Sequence, residues 1–152
     1  MTRYTLDRRT FIETTAALGT TVLLAGCAGG GDGGDEFLAD EPNYDGWLDD
    51  VENYEGTVDR TDADEARVDV GSEGGLAFTP PAVAVSPGTT VVWEWTGEGG
   101  DHDVTAEDGP FQSDQSADEG HTFEHTFEES GTFRYVCTPH EAVGMKGVVY
   151  VE

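Results

Sequence analysis

Three metal-seeking side chains, Cys137, His140 and Met145, share one short loop near the end of the chain, Cys137-Thr138-Pro139-His140-Glu141-Ala142-Val143-Gly144-Met145. Any fold open to this sequence has to place that loop where its donors can converge. Thiolate and thioether are soft ligands, imidazole suits copper in both oxidation states, and two His with one Cys and a weak axial Met form the blue-copper set. The C-x₂-H-x₄-M spacing therefore points to copper and is one imidazole short. His102 is the candidate for the missing donor. It follows a strand-like run and lies far enough upstream of Cys137 for the chain to cross a small β-sandwich and return. The expected metal ligands are His102, Cys137, His140 and Met145.

Around the loop the chain reads as short strands divided by Gly, Pro and acidic turns, at residues 66–70, 82–85, 89–96, 101–106, 121–127, 132–137 and 147–151. Such a series predicts an all-β, Greek-key sandwich. Val91, Trp93 and Trp95 alternate with more polar neighbours and should face the core, leaving Glu94 and Thr96 to water. Phe133 and Tyr135 share a face with Cys137 in the same way, which turns the sulfur inward. An inward thiolate is shielded from disulfide formation and stabilised by a metal charge. Pro139 stiffens the turn between Cys137 and His140, and Gly144 lets the loop bend back before Met145.

Ahead of the sandwich, Tyr44, Trp47, Leu48 and Val51 recur at helical spacing with Asn43 or Asp45 as a cap, predicting a short helix over 42–54 that plugs one end of the sheet pair. A Gly-rich stretch, 28–34, reads as a flexible tether. Before it, Asp7-Arg8-Arg9-Thr10-Phe11-Ile12 resembles a twin-arginine export motif, followed by an apolar stretch, 16–25, too short to span a bilayer. That stretch ends Leu24-Ala25-Gly26-Cys27, which looks like a lipobox, so Cys27 is expected to carry a lipid as the first mature residue. The chain then divides into a signal peptide at 1–26, a lipidated, disordered tether at 27–42 and one domain at 43–152. A disulfide between Cys27 and Cys137 is the competing use of the two cysteines.

The formal charge is −25, from 32 acidic and 7 basic residues. Three of the basic residues, Arg3, Arg8 and Arg9, precede Cys27, leaving Arg60, Arg67, Arg134 and Lys146 to the rest. A nucleic-acid surface is excluded, because phosphate recognition needs clustered Lys and Arg. Acidity spread from residue 32 to 152 implies a halophilic setting, where molar salt shortens the screening length to about 3 Å and relieves self-repulsion.

Taken together, the Cys137–Met145 loop, the strand entering it, the Pro87-Gly88-Thr89 turn leading into 91–95 and the final strand at 147–151 resemble the plastocyanin and azurin superfamily. Within it, residues 43–152, including Asp45-Gly46-Trp47-Leu48 and Met145-Lys146-Gly147, are most similar to halocyanins, small membrane-associated blue copper proteins of halophilic archaea. The resemblance implies a cupredoxin fold, one bound copper and one-electron transfer between membrane redox complexes. It also implies that His102 is the upstream imidazole, Cys137 the thiolate, His140 the partly exposed imidazole and Met145 the axial thioether. Many relatives carry Asn after the upstream His; Asp103 stands here, able to accept the Thr138 hydroxyl proton while its backbone N–H approaches the Cys137 sulfur. Its negative charge should lower the potential. Val136 replaces the Tyr that gives plant plastocyanins a second electron exit, so traffic is expected through the His140 edge, among Pro139, Ala142, Val143, Pro110 and Phe111.

His121 and His125 lie on an alternating strand beside Phe123 and Phe127 and are expected to be structural. Glu124 and Glu128 form no catalytic pair, and no nucleophile triad, phosphate loop or zinc motif is present, so an enzyme is not expected. The rival to an electron carrier is a lipid-anchored protein that stores or delivers copper. The protein is expected to be a monomer on the outer face of the cell membrane.

Overall fold

Trp93 and Trp95 are 0% and 1% exposed, and Val91 beside them is also fully buried, because this strand crosses the centre of a sheet that faces a second sheet. The computed structural model describes residues 35–152, of which 36–152 form one unit. Its strands are β1 (Val58–Asp59), β2 (Glu65–Ser72), β3 (Ala77–Thr79), β4 (Ala82–Val85), β5 (Thr89–Trp95), β6 (Thr105–Ala106), β7 (Thr122–Phe127), β8 (Gly131–Val136) and β9 (Lys146–Val151). They form a five-stranded sheet in the order β1-β4-β9-β8-β6 and a four-stranded sheet in the order β3-β2-β5-β7. Three pairs are parallel, β1 with β4, β4 with β9 and β2 with β5, and the other ladders are antiparallel. The all-β sandwich is therefore present, with the short β1 and β3 added to the seven strands read from the sequence.

The alternation that turns Val68, Val70, Trp93, Trp95, Tyr135 and Val149 inward builds the core between the sheets. Aromatic rings fill its centre: Trp93 stacks on Phe111 at 5.4 Å and meets Tyr135 edge-on at 5.4 Å, and Phe78 meets Tyr135 at 4.8 Å. Val92, on the opposite face of β5, lies between Arg67 and Glu124 in the register and is also buried.

Three expectations are corrected. The segment expected as a helix over 42–54 is a chain of turns, bonded Trp47 N–H to Tyr44 O, Asp49 N–H to Gly46 O and Val51 N–H to Leu48 O at 3.0–3.1 Å. Asp45 (φ 54°) and Gly46 (φ 82°) are left-handed, which a right-handed helix cannot absorb at its first turn. This segment does not plug an end of the sandwich; Tyr44, Leu48 and Val51 pack with Ala82 and Val148 on the outer face of the five-stranded sheet. The strand read over 101–106 shrinks to Thr105–Ala106, because His102 leaves the ladder to bridge Ser116.

Residues ahead of 43 are bonded to the same unit. Phe37 bridges Val58, Leu38 N–H donates to Thr57 O and Asp59 N–H to Glu36 O, while the Glu41 carboxylate accepts from Thr57 and Tyr54. The export motif, the lipobox and Cys27 lie outside the described residues. Among the described residues no helix is long and apolar enough to cross a membrane.

Candidate metal centre

Strand β8 delivers Cys137, which is 0% exposed, to the mouth of the sandwich and ends there. The chain then turns through a 3₁₀ helix, Thr138–Val143, with Pro139 in its first turn, where a missing N–H has no cost. His140 N–H returns to Cys137 O at 3.0 Å, Met145 N–H to His140 O at 3.3 Å, and Cys137 N–H donates to Met145 O at 3.0 Å. The loop thus closes on itself and sets the buried Met145 backbone against that of Cys137. Gly144 caps it at φ 89°.

His102 approaches from the other side. It is 1% exposed, held by paired backbone bonds with Ser116 at 2.9 and 3.0 Å. Its Nε2 lies 2.7 Å from the Glu98 carbonyl, which can only accept, so Nε2 carries the proton and the Nδ1 lone pair is left for a metal. That Nδ1 is 3.5 Å from Cys137 Sγ, and His140 Nδ1 is 3.4 Å from the same sulfur. The three donor atoms lie within 4.8 Å of one another. Bonds of about 2.3 Å to sulfur and about 2.0 Å to nitrogen around one ion separate S and N by roughly 3.5–3.8 Å, so this cluster fits a single metal ion.

Electrostatics agree. Burial pushes the Cys137 thiol up to about 11, with the Asp103 carboxylate adding to the rise and the backbone N–H groups of Asp103 and His140 opposing it. A thiol held that high stays protonated near neutral pH unless a cation replaces the proton. Burial, and then the neighbouring His102, lower the His140 pKa, keeping its imidazole neutral and able to ligate.

Asp103 joins the two halves. Its carboxylate accepts the Thr138 N–H at 2.7 Å and the Thr138 hydroxyl at 2.6 Å, the bond expected from the sequence. Two contributors to the His102 side were not legible. The Glu98 carbonyl is a backbone atom, and Gly71 gives no local sign of its role. A Cβ on Gly71 would come within 2.8 Å of Glu98 O and 3.0 Å of His102 Nε2.

His121 rests edge-on against Trp95 at 4.6 Å and His125 lies against Phe127 at 4.7 Å, both away from the cluster. Phe111, expected at the surface beside His140, is instead 4% exposed and stacked on Trp93. Val143, which ends the 3₁₀ helix of the ligand loop, is 60% exposed.

A two-sheet sandwich with two imidazoles and a buried thiol converging at one end, and a buried thioether on the same loop, is the arrangement of a mononuclear copper protein. The chain belongs to the plastocyanin/azurin family of copper-binding proteins, whose description matches residues 65–152. It is 42% identical to a halocyanin of Natronomonas pharaonis across 97% of this chain and 98% of that one. It is 31% identical to plastocyanin A/B of Petroselinum crispum, over 57% of this chain and 99% of that one. Among solved structures it is similar to a variant amicyanin in its Cu(I) form (28% identity, TM-score 0.50, 59% of this chain and 83% of the other). A variant fern plastocyanin gives 27% identity and a TM-score of 0.50, over 57% of this chain and 100% of the other.

Proposed function

We propose that the protein is a lipid-anchored one-electron carrier that holds copper with His102, Cys137, His140 and Met145. It would shuttle electrons between membrane redox complexes on the outer face of a halophilic archaeon's cell. The observation that supports this most directly is the convergence of two imidazole Nδ1 atoms on one buried sulfur. When bound, copper supplies a one-electron Cu(I)/Cu(II) couple.

The chain's own residues then have separate duties. Cys137 gives up its thiol proton on loading. His102, locked by Glu98, and Cys137, locked by β8, fix the donor positions so that little has to move when charge changes. His140, half-exposed, offers the edge through which one electron enters from a donor and one leaves to an acceptor. Pro139, Ala142 and Val143, all exposed, form a small apolar collar there, suited to brief docking in salt that screens charge steering.

Reconstitution with Cu(II) tests the reading. The wild type is expected to turn intensely blue and to bleach reversibly with reductant, and Cys137→Ser is expected to lose the colour entirely. Rapid loss of the metal to a weak chelator would favour copper delivery instead, which the nearly complete burial of His102 and Cys137 argues against. Mass spectrometry of membrane-extracted protein checks the lipid on Cys27.

A further inference from the structure

Residues 44–51 lie as a strap over the outer face of the five-stranded sheet, and they touch the chain on both sides of Met145. On one side, a Cβ on Gly144 would lie 2.5 Å from the Asp50 carbonyl, so the strap backbone abuts the ligand loop with no room for a side chain. On the other, Trp47 Nε1 donates to Gly147 O at 3.0 Å. Gly147 is closed off from a second direction, since a Cβ there would meet the Tyr135 ring at 2.4 Å. Between them, the Lys146 ammonium sits 5.0 Å from the centre of the Trp47 ring and 3.3 Å from an Asp50 carboxylate oxygen.

The charge pattern marks the same place. Only Arg60, Arg67, Arg134 and Lys146 are basic beyond Cys27, and two of the four converge on this strap. Arg134 lies 5.8 Å from the Trp47 ring and donates to Tyr44 O at 3.2 Å and to Asp45 at 3.4 Å. A Trp ring approached by two cations, each also bonded to the strap, is a stiffer attachment than apolar cover alone requires.

We infer that this strap is a clamp on the ligand loop, with Trp47 and Asp50 as positioning residues that fix where Met145 stands relative to Cys137. The inference rests on the reading of Met145 as the axial ligand only for its effect on the copper site. The clamp itself concerns the chain alone. Met145 cannot shift without moving Gly144 or Lys146-Gly147, and the strap holds both. Axial distance in a blue-copper site bears on the potential, so the clamp acts on redox properties through Met145.

The test uses the full chain with two conservative variants, Trp47→Phe, which keeps the ring and removes the bond to Gly147 O, and Asp50→Asn, which removes the charge facing Lys146. Tyr54→Phe, bonded to Glu41 at the far end of the segment, is the control. In the copper-free protein, Trp47→Phe is expected to speed hydrogen exchange of the Met145 amide by roughly 5- to 10-fold, the loss of one net hydrogen bond. Asp50→Asn should act in the same direction and more weakly, and Tyr54→Phe should leave that amide unchanged. In the Cu(II)-loaded protein, the first two variants are expected to shift the potential and the visible band ratio, and the control is not. Unchanged exchange in both strap variants, with only a lower melting temperature, would overturn the clamp. A wild type that never turns blue would overturn the function reading and leave the exchange result to decide the clamp by itself.

Discussion

Asp103 shows most clearly how one residue sets both structure and chemistry. It is 3% exposed, yet both carboxylate oxygens are occupied by Thr138, so its burial is compensated by charge-assisted bonds between the His102 and Cys137 segments. Asp103→Asn keeps an oxygen for the Thr138 N–H, turns the second contact round so that the amide NH2 donates to the Thr138 hydroxyl oxygen, and removes a negative charge next to Cys137. Stability should fall by about 1 kcal/mol, the difference between a hydrogen bond to a charged group and one to a neutral group. The potential should rise, because the added charge no longer favours Cu(II) over Cu(I). Denaturant titration and redox titration of the same sample check the two effects separately. Asp103 was legible because a carboxylate can only accept and Thr138 offers a hydroxyl two residues from His140. Glu98 was not, since a backbone carbonyl leaves no trace in residue identity.

Among the elements, the strap was read with the right residues and the wrong geometry. Tyr44, Trp47, Leu48 and Val51 do share a buried side, but successive i to i−3 turns repeat at nearly the same interval as a helix, so periodicity could not separate them. The Asp45-Gly46 pair was the local sign of a turn. One consequence of the strap's burial is a response to alkali. Desolvation, partly offset by the Thr57 bond, pushes the Tyr44 phenol up to about 12, and burial followed by the Glu41 bond raises Tyr54 as well. An unfolded tyrosine ionises near 10. The folded state therefore retains phenol protons that the unfolded chain releases. This contribution is complete below about pH 10 and is lost as pH rises from there through about 12. Phenolate absorbance followed alongside denaturation midpoints should show the midpoint falling across that window. Tyr44→Phe should flatten part of the fall.

At the scale of the whole molecule the net charge of −25 sets self-repulsion against the burial of the core. Carboxylates far outnumber the cations available to pair with them, and among the described residues the Arg67–Glu94 pair at 3.1 Å is exposed. Lowering salt from about 1 M to about 0.1 M lengthens screening from about 3 Å to about 10 Å. The melting temperature is expected to fall steeply over that range, with the loss concentrated at the carboxylate-rich surface. Uncharged sucrose, which stabilises by exclusion, should raise the midpoint at every salt concentration without removing its dependence on salt. A melting temperature independent of salt would remove the halophilic reading while leaving the copper site untouched.

The sequence by itself determined the candidate donor types, the loop that carries three of these candidates and the alternation that turns Cys137, Trp93 and Trp95 inward. These are local matters, governed by side-chain chemistry and the two-residue period of a strand. Only the tertiary structure decided what depends on contact between distant segments. It set the Glu98 carbonyl against His102, Gly71 beneath both, Phe111 in the core and the strap across the loop that holds Met145. Those relations are fixed by sheet register and by which backbones pass close enough to exclude a Cβ, and neither is written in any short stretch of residues.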